Sequence, residues 1–202
     1  MRTIGIDTSY KYLNICLLED DSIVDSLHME CFKQQSEWMI PKLEELMKKH
    51  NWKSTDIDSM VITEGPGSYT GIRIAMTVAK VFCSSMNIPL YTLGTLQLYA
   101  GILEDVCVIM DARSNRVYFA RYNGGSIVKD ECILEIDELN DYLKEYPCTN
   151  LIGDGQIIGM PTSFDDVVNN FMKLKDKWKY VDDIDTLVPK YLKKNEEYMV
   201  KK

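Results

Sequence analysis

The feature that most limits what this 202-residue chain can become is a pattern that occurs twice. From Arg2 it reads RTIGIDTS, YLNICLLED and DSIVDSLHME, three stretches in which apolar and polar residues alternate as in half-buried strands, with Asp20-Asp21 as a hairpin break. Residues 36–50 follow with helical spacing, which puts Met39, Ile40, Leu43, Leu46 and Met47 on one side. Pro41 lacks a backbone donor, so this helix is kinked near its start or begins around it. IDSMVITE reads as a buried strand, TEGPGSYTG as a turn, residues 70–86 as a helix, PLYTLGT as a strand and LQLYAGILE as a short helix. The order then recurs. VCVIMDARS, RVYFARYN and GSIVKDECILEI are strands, DELNDYLKEY is a helix with Asp137 as its expected N-cap, and TNLIGDG is a strand ending in a glycine turn. TSFDDVVNNFMKLKDKW has a helical pattern; TLVPKYLKKNEEY has none that assigns it.

Two β-β-β-α-β-α units imply two lobes, residues 1–103 and 104–202. The expected fold class is α/β, a duplicated actin-like (ribonuclease H-like) fold with a cleft between the lobes. In that superfamily each half opens with a hairpin carrying an acidic residue, and nucleotide lies in the cleft. Asp7 in GIDTS and Asp111 in IMDARS sit where those acids would sit, although fold alone does not assign a function.

Composition narrows the classes. Hydrophobic residues make up 46% and charged residues 27%, a globular mix rather than a disordered one. The formal net charge of -8 opposes autonomous binding of nucleic acid. The basic cluster is C-terminal: Lys190, Lys193, Lys194, Lys201 and Lys202, interrupted by Glu196 and Glu197. The six cysteines are scattered singly, with no CxxC. Together with the absence of a charged-then-apolar leader and of any apolar run long enough to span a bilayer, they point to a reduced cytoplasmic protein with no membrane association.

IGIDTS, GPGSYTGIRIAMTVAK, DARSNRVYFARY, LIGDG and PKYLKK occur in this order, and with these spacings the chain resembles the TsaB (YeaZ) family along essentially its whole length. GPGSYTG is the most specific of these motifs. The resemblance implies a non-catalytic subunit in bacterial synthesis of threonylcarbamoyladenosine on tRNA. Such a subunit pairs with TsaD, a transferase of the same fold that carries the metal and active site, and works with the ATPase TsaE. It implies a homodimer when the chain is alone and tRNA contact only through the complex. Many relatives have a histidine before the Ser-Glu pair of the first helix; this chain has Gln35.

The residues can be read for chemistry independently. The chain has two histidines, His28 and His50, on different predicted elements, not paired one helical turn apart as a metal site on a helix requires. No metal is expected. After Asp7 come Thr8, Ser9, Tyr10, Lys11 and Tyr12, and after Asp111 come Ala112 and Arg113. Bulky side chains stand where a phosphate loop needs bare backbone. Asp7, Thr8, Ser9, Asp111 and Arg113 therefore read as a vestigial nucleotide cleft: no cofactor, with weak or shared nucleotide contact through Thr8, Ser9 or Lys11 left open. Ser68 lacks the second glycine of a GxSxG elbow, so no catalytic residue is expected. The glycine turn reads as structural, with Ser68 or Thr70 capping the next helix and Gly71 admitting a close neighbour.

That next helix carries a narrow polar stripe, Arg73, Thr77, Lys80 and Ser84, and is otherwise apolar, so it needs cover on two sides. Either the chain supplies both covers or a second subunit supplies one. The candidate partner interface is Trp38, Met39, Leu43, Ile72, Ala75, Met76, Ala79, Phe82 and Cys83, with Trp38 standing on the charged side of the first helix. The alternative function is an independent actin-fold enzyme, an ATP-dependent kinase or a peptidase. It lacks the open phosphate loops of a kinase and the paired histidines of a peptidase.

Overall fold

The computed structural model describes residues 1–31, 33–164 and 166–193. The first lobe opens with an antiparallel meander, β1 (Arg2–Asp7), β2 (Tyr12–Glu19) and β3 (Ser22–Glu30), followed by α1 (Gln35–Lys49). Then β4 (Ser59–Thr63) pairs parallel with β1, α2 (Tyr69–Met86) crosses over, β5 (Leu90–Leu93) pairs parallel with β4, and α3 (Thr95–Ala100) leads out. The second lobe repeats the plan with β6 (Val106–Arg113), β7 (Arg116–Asn123), β8 (Ser126–Glu135), α4 (Ile136–Glu145), β9 (Asn150–Gly153) and α5 (Val167–Lys173). The sheet order β3-β2-β1-β4 in the first lobe is matched by β8-β7-β6-β9 in the second. The duplicated pattern is thus a duplicated topology. Pro41 lies inside α1 and does not begin it, and the N-cap of α4 is Glu135, boxed with Glu138, in place of the expected Asp137.

Three cores follow from the alternation of side chains across the strands. Ile4, Ile6, Leu13 and Ile15 meet α1 and α2 on one face of the first sheet. Cys16, Leu18 and Val61 on its other face share a core with Val108, Met110 and Ala120 of the second sheet, together with Tyr99 of α3 and Phe171 of α5. Cys107, Ile109, Val117 and Phe119 pack under Leu139 of α4 on the outer face.

The lobes do not divide the chain cleanly at residue 103. A last strand, β10 (Lys179–Tyr180), returns to the first sheet and pairs antiparallel with β5. Val181 is buried in the first-lobe core, and Ile184 and Leu187 pack against it. The physical reason is a shared need for cover: β5 would otherwise be an open edge, and these apolar residues find their cover on α2's side of the sheet. The strap continues across α2. Lys80 Nζ donates to the Asp185 carbonyl (2.9 Å) and the Leu187 carbonyl (3.1 Å), and Arg73 Nε donates to Tyr191 Oη (2.7 Å). The polar stripe of α2 is therefore where its own chain lies, and the second cover is largely intramolecular.

This corrects most of the expected interface. Met39, Leu43, Ile72, Ala75, Met76, Ala79 and Cys83 are at most 8% exposed, all within the first-lobe core. They pack toward β1, β2 and β4 inside the chain's own core. Phe82 is half-buried against the same core, and Trp38 stays 42% exposed. Of the C-terminal basic cluster, Lys190 and Lys193 are described; Lys194, Lys201 and Lys202 lie outside the described residues.

Candidate functional site

A cleft of about 660 Å³ opens where the glycine turn, the β1–β2 loop and the end of β6 converge. Its position between the lobes follows from the duplication, because β1 and β6 both end there. Gly65 takes φ +114, a conformation that L-residues avoid, and the strap crosses it, with Lys190 N donating to the Glu64 carbonyl at 2.7 Å. Ser68 caps α2 by accepting from Gly71 N at 3.2 Å, as expected of one of the two hydroxyls. Gly71 is where the β1–β2 loop docks. Thr8 Oγ1 donates to the Gly71 carbonyl (2.6 Å) and accepts from Ala75 N (3.3 Å), while Ser68 N donates to the Ser9 carbonyl (2.7 Å). The turn is a docking surface for backbone.

The acidic residue of the first hairpin is fully buried. Asp7 accepts from Ser9 N (2.9 Å), Ser9 Oγ (2.5 Å), Asn14 Nδ2 (2.9 Å), Thr63 Oγ1 (2.7 Å) and Tyr99 Oη (3.1 Å). Burial, with Asp7 beside it, holds the Tyr99 phenol protonated well above its ordinary range, so it remains a donor. Five donors satisfy both carboxylate oxygens. Of the five residues expected in a vestigial nucleotide cleft, Asp7, Thr8 and Ser9 thus have their polar atoms taken up inside the fold. Only Asp111 and Arg113 line the cavity. The weak donation considered for Thr8 and Ser9 goes to Gly71 and Asp7 instead.

A second carboxylate, Asp154 of the LIGDG motif, closes the cleft floor; the sequence offered its motif but no role for it. It is fully buried and accepts from Lys11 Nζ (2.7 Å), the Asp111 backbone N–H (2.8 Å), Gln156 Nε2 (3.2 Å) and Tyr10 Oη. Burial and Asp154 push the Tyr10 phenol up, so it too stays protonated. The first lobe's loop is in this way clasped to the second lobe. Gln35 is 6% exposed and donates its amide to the Tyr10 carbonyl at 2.8 Å, supporting the same loop. The remaining wall is cationic: Lys11, Lys33, Arg113 and Lys193 face one exposed carboxylate, Asp111. Lys193 itself donates to the Ala112 carbonyl. His28 pairs with Asn14 (2.6 Å) and His50 with Asp25 (2.8 Å), on separate elements and away from the cleft lining. Among the described residues no group of three or more His, Cys, Asp or Glu side chains could hold a metal ion.

A family model described as TsaD: tRNA N6-adenosine threonylcarbamoyltransferase matches residues 29–199. The tRNA threonylcarbamoyladenosine biosynthesis protein TsaB of Bacillus subtilis is 32% identical over 157 residues, 72% of this chain and 67% of that protein. The chain belongs to the TsaB family. The Buchnera aphidicola (Schizaphis graminum) TsaB is 24% identical over 75% of this chain and 78% of its own length, and the Escherichia coli TsaB 27% identical over 60% and 55%. Among solved structures, YeaZ from Pseudomonas aeruginosa superposes with a TM-score of 0.72 at 18% identity, covering 95% of this chain and 99% of its own. Another from the same organism, described as having similarity to peptidase YeaZ, superposes at 0.76 and 18% identity with the same coverage. At that identity the likeness shows that the chain shares the fold of YeaZ, and leaves the word peptidase with that protein.

Proposed function

We propose that this chain is a non-catalytic subunit in the synthesis of threonylcarbamoyladenosine on tRNA, pairing with a TsaD-type transferase in the cytoplasm. The supporting observation is the set of hydrogen bonds around Asp7 and Asp154. The two buried carboxylates nearest the cleft are saturated by donors of their own chain, so neither is left to act as a base or to hold a metal. The cleft offers an anion a cationic rim, so nucleotide contact is weak or shared with the partner. A TsaE-type ATPase joins the larger assembly, tRNA is reached through the complex, and the chain self-associates when alone.

The pairing surface is smaller than the apolar content of α1 and α2 suggested. On α2, Ile74, Val78 and Val81 stand at steps of four and three residues and share one line; Val81 is 63% exposed. On α1, Trp38 is 42% and Ile40 49% exposed. Val81→Glu places a charge in that line without touching the core. It should weaken binding to the transferase and self-association at least tenfold while leaving the melting temperature within a few degrees. Ala79→Glu, at a fully buried position, should unfold the protein. Normal binding by folded Val81→Glu and Trp38→Ala variants would move the interface elsewhere. Turnover of a peptide, or of threonylcarbamoyl-adenylate with tRNA, by the isolated chain would remove the non-catalytic reading.

A further inference from the structure

The six cysteines look like isolated core residues in the sequence, but the fold brings two of them together. Cys107 lies fully buried near the start of β6, and Cys148 lies half-buried on the loop between α4 and β9. Both belong to the outer core of the second sheet, where the two thiols are near enough for each to act on the other's ionisation. The loop around Cys148 is pinned on both sides. Arg121 donates through Nη1 to the Tyr146 carbonyl (3.2 Å) and through Nη2 to the Pro147 carbonyl (3.0 Å). Thr149 donates through N and Oγ1 to Asp105 Oδ2, each at 2.9 Å, and Asp105 is ion-paired with Arg121. The stretch that carries Cys148 is thus anchored at the residues before and after it, beside the core that holds Cys107.

We propose that Cys107 and Cys148 are an oxidisable dithiol, in which Cys148 reacts with a peroxide and Cys107 closes a disulfide. The Cys148 thiolate attacks one peroxide oxygen, the O–O bond breaks, and the leaving hydroxide takes up a proton as water. Cys148 is then a sulfenic acid. The Cys107 sulfur attacks that sulfur, the S–O bond breaks, and a second water leaves with the Cys107 proton. Two thiols lose two electrons and two protons, and the peroxide is reduced to two waters.

Exposure assigns the order, since Cys148 is half-buried and Cys107 fully buried, and the electrostatics run the same way. The hydrogen bond from Cys107, the Cys107 backbone N–H and the Arg121 cation bring the Cys148 thiol down to about 7 despite partial burial. The hydrogen bond to Cys148 and burial push Cys107 up. Burial also pushes Cys16 and Cys83 up, each to about 12, and raises Cys31 and Cys132. Cys148 is accordingly the first thiol to react, and Cys107 is the sulfur placed to resolve it. The pair sits toward the opposite end of β6 from Asp111 and Arg113, so the bond staples the second lobe without entering the cleft. This inference does not depend on the partner assembly.

The test uses the full chain, a modest excess of hydrogen peroxide at neutral pH, and peptide mapping under non-reducing conditions. The expected product has lost two hydrogens, yields a linked Cys107–Cys148 peptide and reverts with dithiothreitol. Cys148→Ser should form no such product, and Cys107→Ser should accumulate sulfenic and then sulfinic acid on Cys148. Iodoacetamide labelling of the untreated native chain gives a second reading that needs no variant. Cys148 should label at least tenfold faster than the other five thiols. Dominant oxidation at another cysteine, sulfinic acid on Cys148 at equal rates with and without Cys107, or uniform labelling would overturn the proposal.

Discussion

Gly71→Ala offers a test of how the cleft loop is held, because two effects of opposite sign can be weighed. Gly71 lies in the first turn of α2, where alanine improves helix propensity by about 1 kcal/mol. A Cβ there would overlap the Thr8 carbonyl oxygen, a backbone atom that cannot swing aside as a side chain can. The added atom would lie 2.1 Å from that oxygen, so restoring an ordinary contact of about 3.5 Å needs the β1–β2 loop to move by roughly 1.4 Å. That shift stretches the Thr8 Oγ1–Gly71 O bond from 2.6 Å and the Ser68 N–Ser9 O bond from 2.7 Å beyond useful length. Each lost bond in this setting costs about 1 to 3 kcal/mol, because a donor or acceptor is left without water. Two such losses less the propensity gain leave a net destabilisation of about 1 to 5 kcal/mol, a fall in Tm of about 2 to 20 °C for a chain of this size. Urea and thermal unfolding followed by circular dichroism measure it. A Gly71→Ala variant as stable as the parent, or more so, would refute the reasoning by showing that the loop gives way freely.

The strap makes a second test. Glu131 is buried, and its carboxyl is raised by burial although Lys190 Nζ pairs with it at 2.7 Å and Tyr122 at 3.2 Å. A raised carboxyl favours the fold most fully below the unfolded pKa, and that contribution is lost as pH rises through the folded value. Lys190→Met should therefore cost about 1 to 3 kcal/mol at pH 7 and distinctly less at pH 4, with Glu131→Gln on the same chain restoring most of the loss. Urea titrations at the two pH values read this out. Asp25 has the opposite sign: Lys49 chiefly, with His50 and the Ser26 backbone, lowers its carboxyl from 3.8 to about 2. Its contribution is present above the unfolded pKa and fades as pH falls from about 4 toward 2, so the parent should lose more stability over that interval than Asp25→Asn.

The sequence by itself determined the duplicated topology, the strand and helix types within each unit, and the place where the two hairpins meet. These follow from local periodicity, two residues in strands and 3.6 in helices, which the chain repeats clearly. It also determined that the glycine turn serves packing, since Gly71 sits where backbone must approach and Ser68 where a helix needs a cap. Tertiary structure alone decided which apolar surface remains outside. α2 is apolar nearly all round, and no periodicity says whether its cover is a sheet, a partner or a returning tail. The tail 179–193 carries no pattern of its own, yet it closes the β5 edge and lies on Arg73 and Lys80, so seven expected interface residues became core. The same limit applies to Asp154, Gln35 and the Cys107–Cys148 pair. Each acts through a neighbour distant in the chain, and the contact exists only after the lobes have packed.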